Sequence, residues 1–170
     1  NLLALEALLA DLAARGGADI LVDLGDRASG PLWPAETLAR LSDLPIIAVR
    51  GNHDRAVAFD EPGSLGLTDA FARAALRPDQ RAGLGALPMI ATPAPGVVAF
   101  HATPTRDDVY LLDRIEDGRL VRDAHTAITA RLAGAPPAEV VLCAHSHRAD
   151  MVRLPSGATV INPGSVGCPA

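Results

Sequence analysis

The stretch Ile46-Ile47-Ala48-Val49-Arg50-Gly51-Asn52-His53-Asp54 joins a short apolar run to a group of polar residues. The β-branched, bounded run over residues 46–49 predicts a buried strand. In open α/β sheets, ligand sites form outside the carboxyl ends of the strands, which is where the polar residues behind this run would lie. Taken alone, the polar group is also compatible with an ordinary turn.

Three further apolar runs are followed by residues of the same chemistry. The runs are residues 20–24, 97–100 and 139–144, and the residues behind them are Gly25-Asp26, His101 and His145-Ser146-His147. Each case alone is compatible with a turn or a core histidine, but four strand ends with such residues are improbable by chance. Imidazole and carboxylate groups bind transition metals, so the pattern predicts a metal site at one edge of a sheet.

Helical patterns alternate with the early strands, and the late strands form a hairpin. Apolar spacing and punctuating Gly and Pro residues predict helices over about 1–15, 34–41, 68–76, 78–84 and 123–133, a hairpin over 151–154 and 158–161, and turns or loops over 59–67 and 91–96. The order predicts an α/β domain whose sheet begins parallel and ends mixed.

Length and composition limit the function classes. A chain of 170 residues with 49% hydrophobic residues is expected to form one globular domain over 1–170. No apolar run reaches the roughly 18 residues that a membrane span needs. The net charge is −5 and the basic residues are scattered, which disfavours a nucleic-acid binder. Cys143, inside an apolar run, is expected in the core, and the cysteine usage fits a reducing cytoplasm.

The ordered motifs resemble the calcineurin-like metallophosphoesterases, most closely the small bacterial and archaeal phosphodiesterase branch. The residues that carry the resemblance are Gly25-Asp26, Gly51-Asn52-His53-Asp54, His101, His145-Ser146-His147 and Asn162-Pro163-Gly164-Ser165. The resemblance implies an αββα sandwich of four layers, in which two mixed sheets are flanked by helices and hold two metal ions at the strand ends.

The resemblance also implies a role for each matching residue. Asp26 would bridge both metals, Asn52, His101 and His145 would complete one metal site, and His147 would bind the other. His53 would face the phosphate as general acid or charge stabiliser, and Asp54 would orient His53 by hydrogen bonding.

The implied function is hydrolysis of a small phosphorylated substrate, a phosphodiester or a phosphomonoester. A hydroxide bridging two divalent ions (Mn, Fe, Zn or Ni) would attack phosphorus in line, without a covalent intermediate. Nucleic acid is expected only as a phosphodiester substrate, no membrane partner is expected, and the oligomeric state stays open. The alternative is a non-catalytic, protein-binding module on the same fold. The enzyme is favoured because the chain retains Asp26, Asn52, His53, His101, His145 and His147.

The sequence departs from the family pattern in three places. The usual first motif, Asp-x-His at the end of a first strand, is missing before Asn1; Ala144-His145-Ser146-His147 stands for the usual Gly-His-Thr-His; and the chain stops soon after Asn162–Ser165. We therefore expect a domain truncated at both ends. Arg27, Arg50 and Arg148 adjoin proposed ligands and are expected either to assist with phosphate or to be solvated surface residues.

Overall fold

The computed structural model describes residues 1–30 and 32–170, which form six helices and nine strands within that part of the chain. The helices are α1 (Leu2–Ala14), α2 (Pro34–Ser42), α3 (Asn52–Phe59), α4 (Leu67–Ala75), α5 (Pro78–Gly85) and α6 (His125–Arg131). The strands are β1 (Leu21–Asp23), β2 (Ile46–Ala48), β3 (Ile90–Ala94), β4 (Val97–Phe100), β5 (Asp113–Glu116), β6 (Arg119–Arg122), β7 (Val140–Leu142), β8 (Asp150–Arg153) and β9 (Thr159–Asn162). A short 3₁₀ turn over Pro62–Ser64 interrupts the loop between α3 and α4.

The strands form three sheets. Strands β1 and β2 pair in parallel, with Leu21 opposite Ile46. The main sheet has five strands in the order β3-β4-β7-β9-β8, in which β4, β7 and β9 are parallel and the two outer strands are antiparallel to their neighbours. Strands β5 and β6 form a separate hairpin. The expected α/β class with mixed pairing is therefore confirmed.

Two groups of buried apolar side chains hold the molecule together. One packs the main sheet against α6, with Phe100, Ile128 and Val160 fully buried. The other joins helices α2 to α5 through residues such as Leu38, Val57 and Leu84. The main sheet and helices α2 to α5 thus form separate cores, and the ends of β1, β2, β4 and β7 converge between them.

Most predicted elements lie where the sequence placed them. Asn1 caps α1, since its side chain accepts a hydrogen bond from the backbone N–H of Ala4 at 3.2 Å. Cys143 lies in the core, as expected. No helix of the described residues is long and apolar enough to cross a membrane.

Three elements differ from the expectation. Residues 90–94, expected as a turn, form strand β3, and the group behind β2 is the first turn of helix α3. The hairpin of β5 and β6 was not predicted. Each of these elements contains polar or proline residues, which interrupt the pattern of apolar residues from which helices and strands are predicted.

Candidate metal centre

The site begins at a sharp turn behind β1. Gly25 and Asp26 both have positive φ angles, of 93° and 60°, which bring the Asp26 carboxylate back towards the end of β2. Gly51 packs so closely against this turn that a Cβ atom there would overlap the Asp26 carboxylate. The Asp54 carboxylate fixes the turn, because it accepts hydrogen bonds from the backbone N–H groups of Asp26, Arg27 and Gly51 at 2.8, 3.0 and 2.9 Å.

His101, directly behind β4, faces this turn from the main sheet and is 2% exposed. Its Nδ1–H donates to the Leu24 carbonyl at 2.7 Å, which leaves a lone pair on Nε2. That nitrogen lies 3.1 Å from Asn52 Oδ1 and 3.2 Å from Asp26 Oδ2. Three electron-rich atoms therefore converge, an arrangement that needs a cation.

His145, behind β7, completes the group. Its side chain offers a nitrogen, and the ligand atoms of Asp26, His101 and His145 all lie within 4.8 Å of one another. Burial lowers the pKa of His145, and the neighbouring His101 lowers it further, so the imidazole is kept neutral. A neutral imidazole is the form that binds a metal ion.

The donor set fits a divalent transition metal. Asp26 Oδ2 is buried and accepts no hydrogen bond from the described residues, so a carboxylate oxygen lacks the partner that burial normally requires. Burial opposes protonation of His101, yet the contact with Asp26 outweighs it and raises the His101 pKa. A positive charge, whether a proton or a metal ion, would compensate the same cluster of lone pairs. Nitrogen and oxygen donors of this kind suit Mn, Fe and Zn ions.

His147 lies apart from this group but on the same cavity. Its Nδ1–H donates to the Cys168 carbonyl at 2.7 Å, so its Nε2 is also left free to bind a metal. The open cavity has a volume of about 370 Å³ and is lined by Asp26, His53, Tyr110, His145, Ser146, His147, Cys168, Pro169 and Ala170. Of the predicted candidates, Asp26, His53, His145 and His147 line the cavity, and His101 reaches it through its contact with Asp26.

His53 is held by a different carboxylate from the one expected. Its Nδ1 lies 2.8 and 3.0 Å from the two oxygens of Asp69, in helix α4, and the Ser29 hydroxyl donates to Asp69 Oδ1 at 2.5 Å. The expectation that Asp54 orients His53 by hydrogen bonding is wrong. Asp54 is the third residue of α3, and its carboxylate points back at backbone N–H groups, as in a helix-capping interaction.

The buried position of the Asp54 carboxylate changes its pKa. Burial raises the pKa of Asp54 to about 6, and the negative charge of Asp26 adds to the rise, while the hydrogen bonds from Gly51 and Arg27 oppose it. Its role is therefore to shape the turn that carries Asp26.

The three arginines beside the site point elsewhere. Arg27 Nε donates to Asp23 at 2.8 Å, and Arg148 pairs with buried Asp113. Arg50 donates to the Gly85 carbonyl at 3.2 Å and lies near Met89. None of the three lines the cavity, so neither a phosphate contact nor a freely solvated position describes them.

Two residues of the site were missed by sequence reasoning. Asp69 lies in a helix with no strand in front of it, and Tyr110 lies in a loop, with its ring 4.7 Å from the His145 ring. The only available signal was composition, since Tyr110 is the single tyrosine of the chain.

Comparison with known protein families identifies the domain. The family model described as the calcineurin-like phosphoesterase superfamily domain matches residues 1–170. The chain belongs to this superfamily. Among curated proteins, no significant match was found.

Several solved structures share the fold of this chain. A hypothetical protein from Pyrococcus horikoshii OT3 is 17% identical with a TM-score of 0.75, over 98% of this chain and 71% of that one. A metallophosphoesterase from Sphaerobacter thermophilus is 24% identical with a TM-score of 0.73, over 99% of this chain and 74% of that one. A protein provisionally described as a diadenosine tetraphosphatase is 24% identical with a TM-score of 0.58, over 95% of this chain and 78% of that one. Membership of the superfamily supports metal-dependent phosphoester hydrolysis as the general activity and implies divalent metal ions.

Proposed function

We propose that this protein hydrolyses small phosphoesters, phosphodiesters or phosphomonoesters, at the cavity between the two cores. The observation that carries the proposal is the convergence of Asp26, His101 and His145 within 4.8 Å, on the same cavity as His53. Asp26, Asn52, His101 and His145 would hold one divalent ion, and Asp26 and His147 would contribute to a second. Such ions supply charge neutralisation at the phosphoryl oxygens and activation of water.

The proposed role of His53 is proton donation to the departing oxygen. Its Nδ1–H is engaged by Asp69, so the proton that can be transferred resides on Nε2, and the donating form is the imidazolium. The Asp69 carboxylate accepts from Nδ1–H and so fixes the orientation of the ring, in the way that a carboxylate holds the histidine of other proton-transfer sites. With 38% of its side chain exposed, His53 can reach a ligand in the cavity.

The remaining proposed roles are positional. The Leu24 and Cys168 carbonyls fix the tautomers of His101 and His147, so both present Nε2. Asp54 and Gly51 hold the turn that aims Asp26. The provisional description of one structural relative suggests dinucleotide polyphosphates as one substrate class worth testing.

The proposal is tested with chelator-treated protein reloaded with Mn²⁺. We expect hydrolysis of bis(4-nitrophenyl) phosphate, 4-nitrophenyl phosphate or both. His53→Ala should lower turnover of a phosphoester with an alkoxide leaving group by roughly 10²–10⁴-fold with unchanged metal content, and turnover of the 4-nitrophenyl esters by less. The double variant Asp26→Ala, His145→Ala should lose both metal and activity. Absence of hydrolysis of every phosphoester offered, or equal metal content in the wild type and the double variant, would contradict the proposal.

A further inference from the structure

The cavity contains an unusual balance of charge for a phosphate site. Its lining holds one carboxylate and three histidines, and no arginine contributes to it among the described residues. The chain has no lysine, so basic residues at this site could only be arginines. Phosphate sites commonly use the guanidinium fork to bind two oxygens at once.

The nearby arginines are held away by specific partners. Arg27 and Arg148 form ion pairs with Asp23 and Asp113, and Arg55 donates to Asp107 at 2.8 Å. Reorienting any of these towards the cavity would leave a carboxylate that is at most one-sixth exposed without its partner. Arg50 has no carboxylate partner, but it donates to the Gly85 carbonyl, lies near Met89 and does not line the cavity. A bound phosphoester therefore needs protein donors other than these arginines.

Tyr110 is placed to be such a donor. It lines the cavity together with Asp26, His53 and His145, and its ring packs on the His145 ring at 4.7 Å with an interplanar angle of 31°. Its hydroxyl group makes no hydrogen bond to the described residues and is not one of their buried unpaired polar atoms, so it is open to a ligand in the cavity.

The loop that carries Tyr110 is anchored on both sides. Leu111 and Leu112, which follow Tyr110, are each 2% exposed and belong to the core of the main sheet. On the other side, Asp107 receives the hydrogen bond from Arg55 of helix α3, the helix that also carries Asn52 and His53. The tyrosine is thus held at a fixed place beside the metal ligands.

We infer that Tyr110 contacts the bound phosphoester, and that its hydroxyl group donates a hydrogen bond to a phosphoryl oxygen in place of an arginine. This inference rests on the proposed function. In the reaction, the oxygen of water bonds to phosphorus and one P–O ester bond breaks. The departing oxygen takes the proton of His53, which a proton of the water replaces. Tyr110 holds the phosphoryl group throughout and exchanges no proton.

The first test removes only the hydroxyl group. Tyr110→Phe keeps the ring against His145, so metal content should be unchanged. A hydrogen bond to a charged group contributes enough that its loss should lower kcat/KM for 4-nitrophenyl esters by roughly 10- to 100-fold. Binding of inorganic phosphate to the Mn²⁺-loaded protein, measured by calorimetry, should weaken by a similar factor. Asp108→Asn is the matched control on the same loop, since Asp108 pairs with exposed Arg106 and does not line the cavity.

The second test changes the charge at the same position. Tyr110→Arg places a guanidinium beside the phosphoryl group, which should favour the doubly charged monoester over the singly charged diester. The ratio of kcat/KM for 4-nitrophenyl phosphate to that for bis(4-nitrophenyl) phosphate should therefore rise by at least about tenfold.

The outcomes separate this inference from the proposed function. If the wild type hydrolyses neither ester, the proposed function fails. If the wild type is active while Tyr110→Phe retains its kcat/KM and its phosphate affinity, the assignment of Tyr110 is overturned and the proposed function stands. A loss of metal from Tyr110→Phe would also overturn it, because Tyr110 would then act through His145 and not on the substrate.

Discussion

The Nδ1 atom of His53 is hydrogen-bonded to the carboxylate of Asp69, which lies 16 residues further along the chain. In the proposed reaction this contact orients the ring that donates the proton, so its loss should matter most when the departing oxygen needs a proton. Asp69→Asn should lower kcat for a phosphoester with an alkoxide leaving group by roughly 10- to 100-fold, and for a 4-nitrophenyl ester far less.

Two controls accompany this prediction. Asp79→Asn removes an exposed carboxylate that pairs only with Arg77 and should leave both rates unchanged. In a His53→Ala background, Asp69→Asn should add little, since two residues that act as a unit do not contribute additively. Equal losses for both leaving groups would show that Asp69 serves the fold and not His53.

The close approach of Gly51 to Asp26 gives a second prediction for a single residue. A Cβ atom at Gly51 would overlap the Asp26 carboxylate, so Gly51→Ala must displace that side chain. We expect a loss of about 1–3 kcal/mol in the free energy of unfolding, as for overpacked sites, and a metal affinity lower by roughly 10- to 100-fold. Denaturant titration and metal-binding titration measure the two effects. Gly63→Ala, where a Cβ atom meets nothing within 4 Å, is the control and should change neither.

The residues of the site were predictable to the extent that they follow strands. Asp26, Asn52, His101 and His145 each lie at a strand end, so a local pattern reveals both their chemistry and their common edge. Asp69 comes from a helix whose face towards His53 is set by the packing of α3 against α4. No spacing in the sequence encodes that contact. The same limit explains why Asp54, nearer in sequence, was wrongly given the role.

Among the secondary-structure elements, short strands made of apolar residues could be predicted from the sequence. Strands with polar, charged or proline residues could not. Strand β3 contains Pro93, which normally argues against a strand. It is tolerated because β3 is the edge of the main sheet and its register with β4 shifts between Ala91 and Ala94. The missed hairpin β5–β6 is similar, since its residues are mostly charged and exposed.

The two cysteines should react differently with thiol reagents, because Cys143 lies behind the central strand β7 and Cys168 is exposed. Cys143 follows β7 and is 1% exposed, and burial raises the pKa of its thiol to about 12. Cys168 is exposed on the cavity. Because the thiolate is the reactive form, iodoacetamide at pH 8 should modify only Cys168 in the folded protein and both cysteines in 6 M guanidinium. Peptide mass spectrometry identifies the modified residue. Rapid native modification of Cys143 would contradict its place in the core.

For the whole molecule, the candidate metal centre joins two parts that have separate cores. Asp26 and Asn52 come from the side of β1, β2 and α3, whereas His101 and His145 follow strands of the main sheet. Direct links across this boundary include the bond from His101 Nδ1–H to the Leu24 carbonyl and the bond from Arg55 Nε to Asp107. A metal ion bound by both sides would therefore add a strong connection between them.

Metal binding should consequently raise the thermal stability of the whole protein. An ion at a free concentration about 100 times its dissociation constant stabilises the folded state by about 2.7 kcal/mol. For a domain of this size, each kcal/mol corresponds to roughly 2–4 °C in Tm, so Mn²⁺ should raise Tm by about 5–10 °C.

Because the ligands come from both cores, Asp26→Ala and His101→Ala should each abolish most of the shift, although they lie on opposite sides of the boundary. His125→Ala, an exposed histidine at the start of α6, should keep the full shift. Calorimetry with and without EDTA measures these values, and a shift that survives either ligand substitution would show that the ion does not join the two parts through these residues.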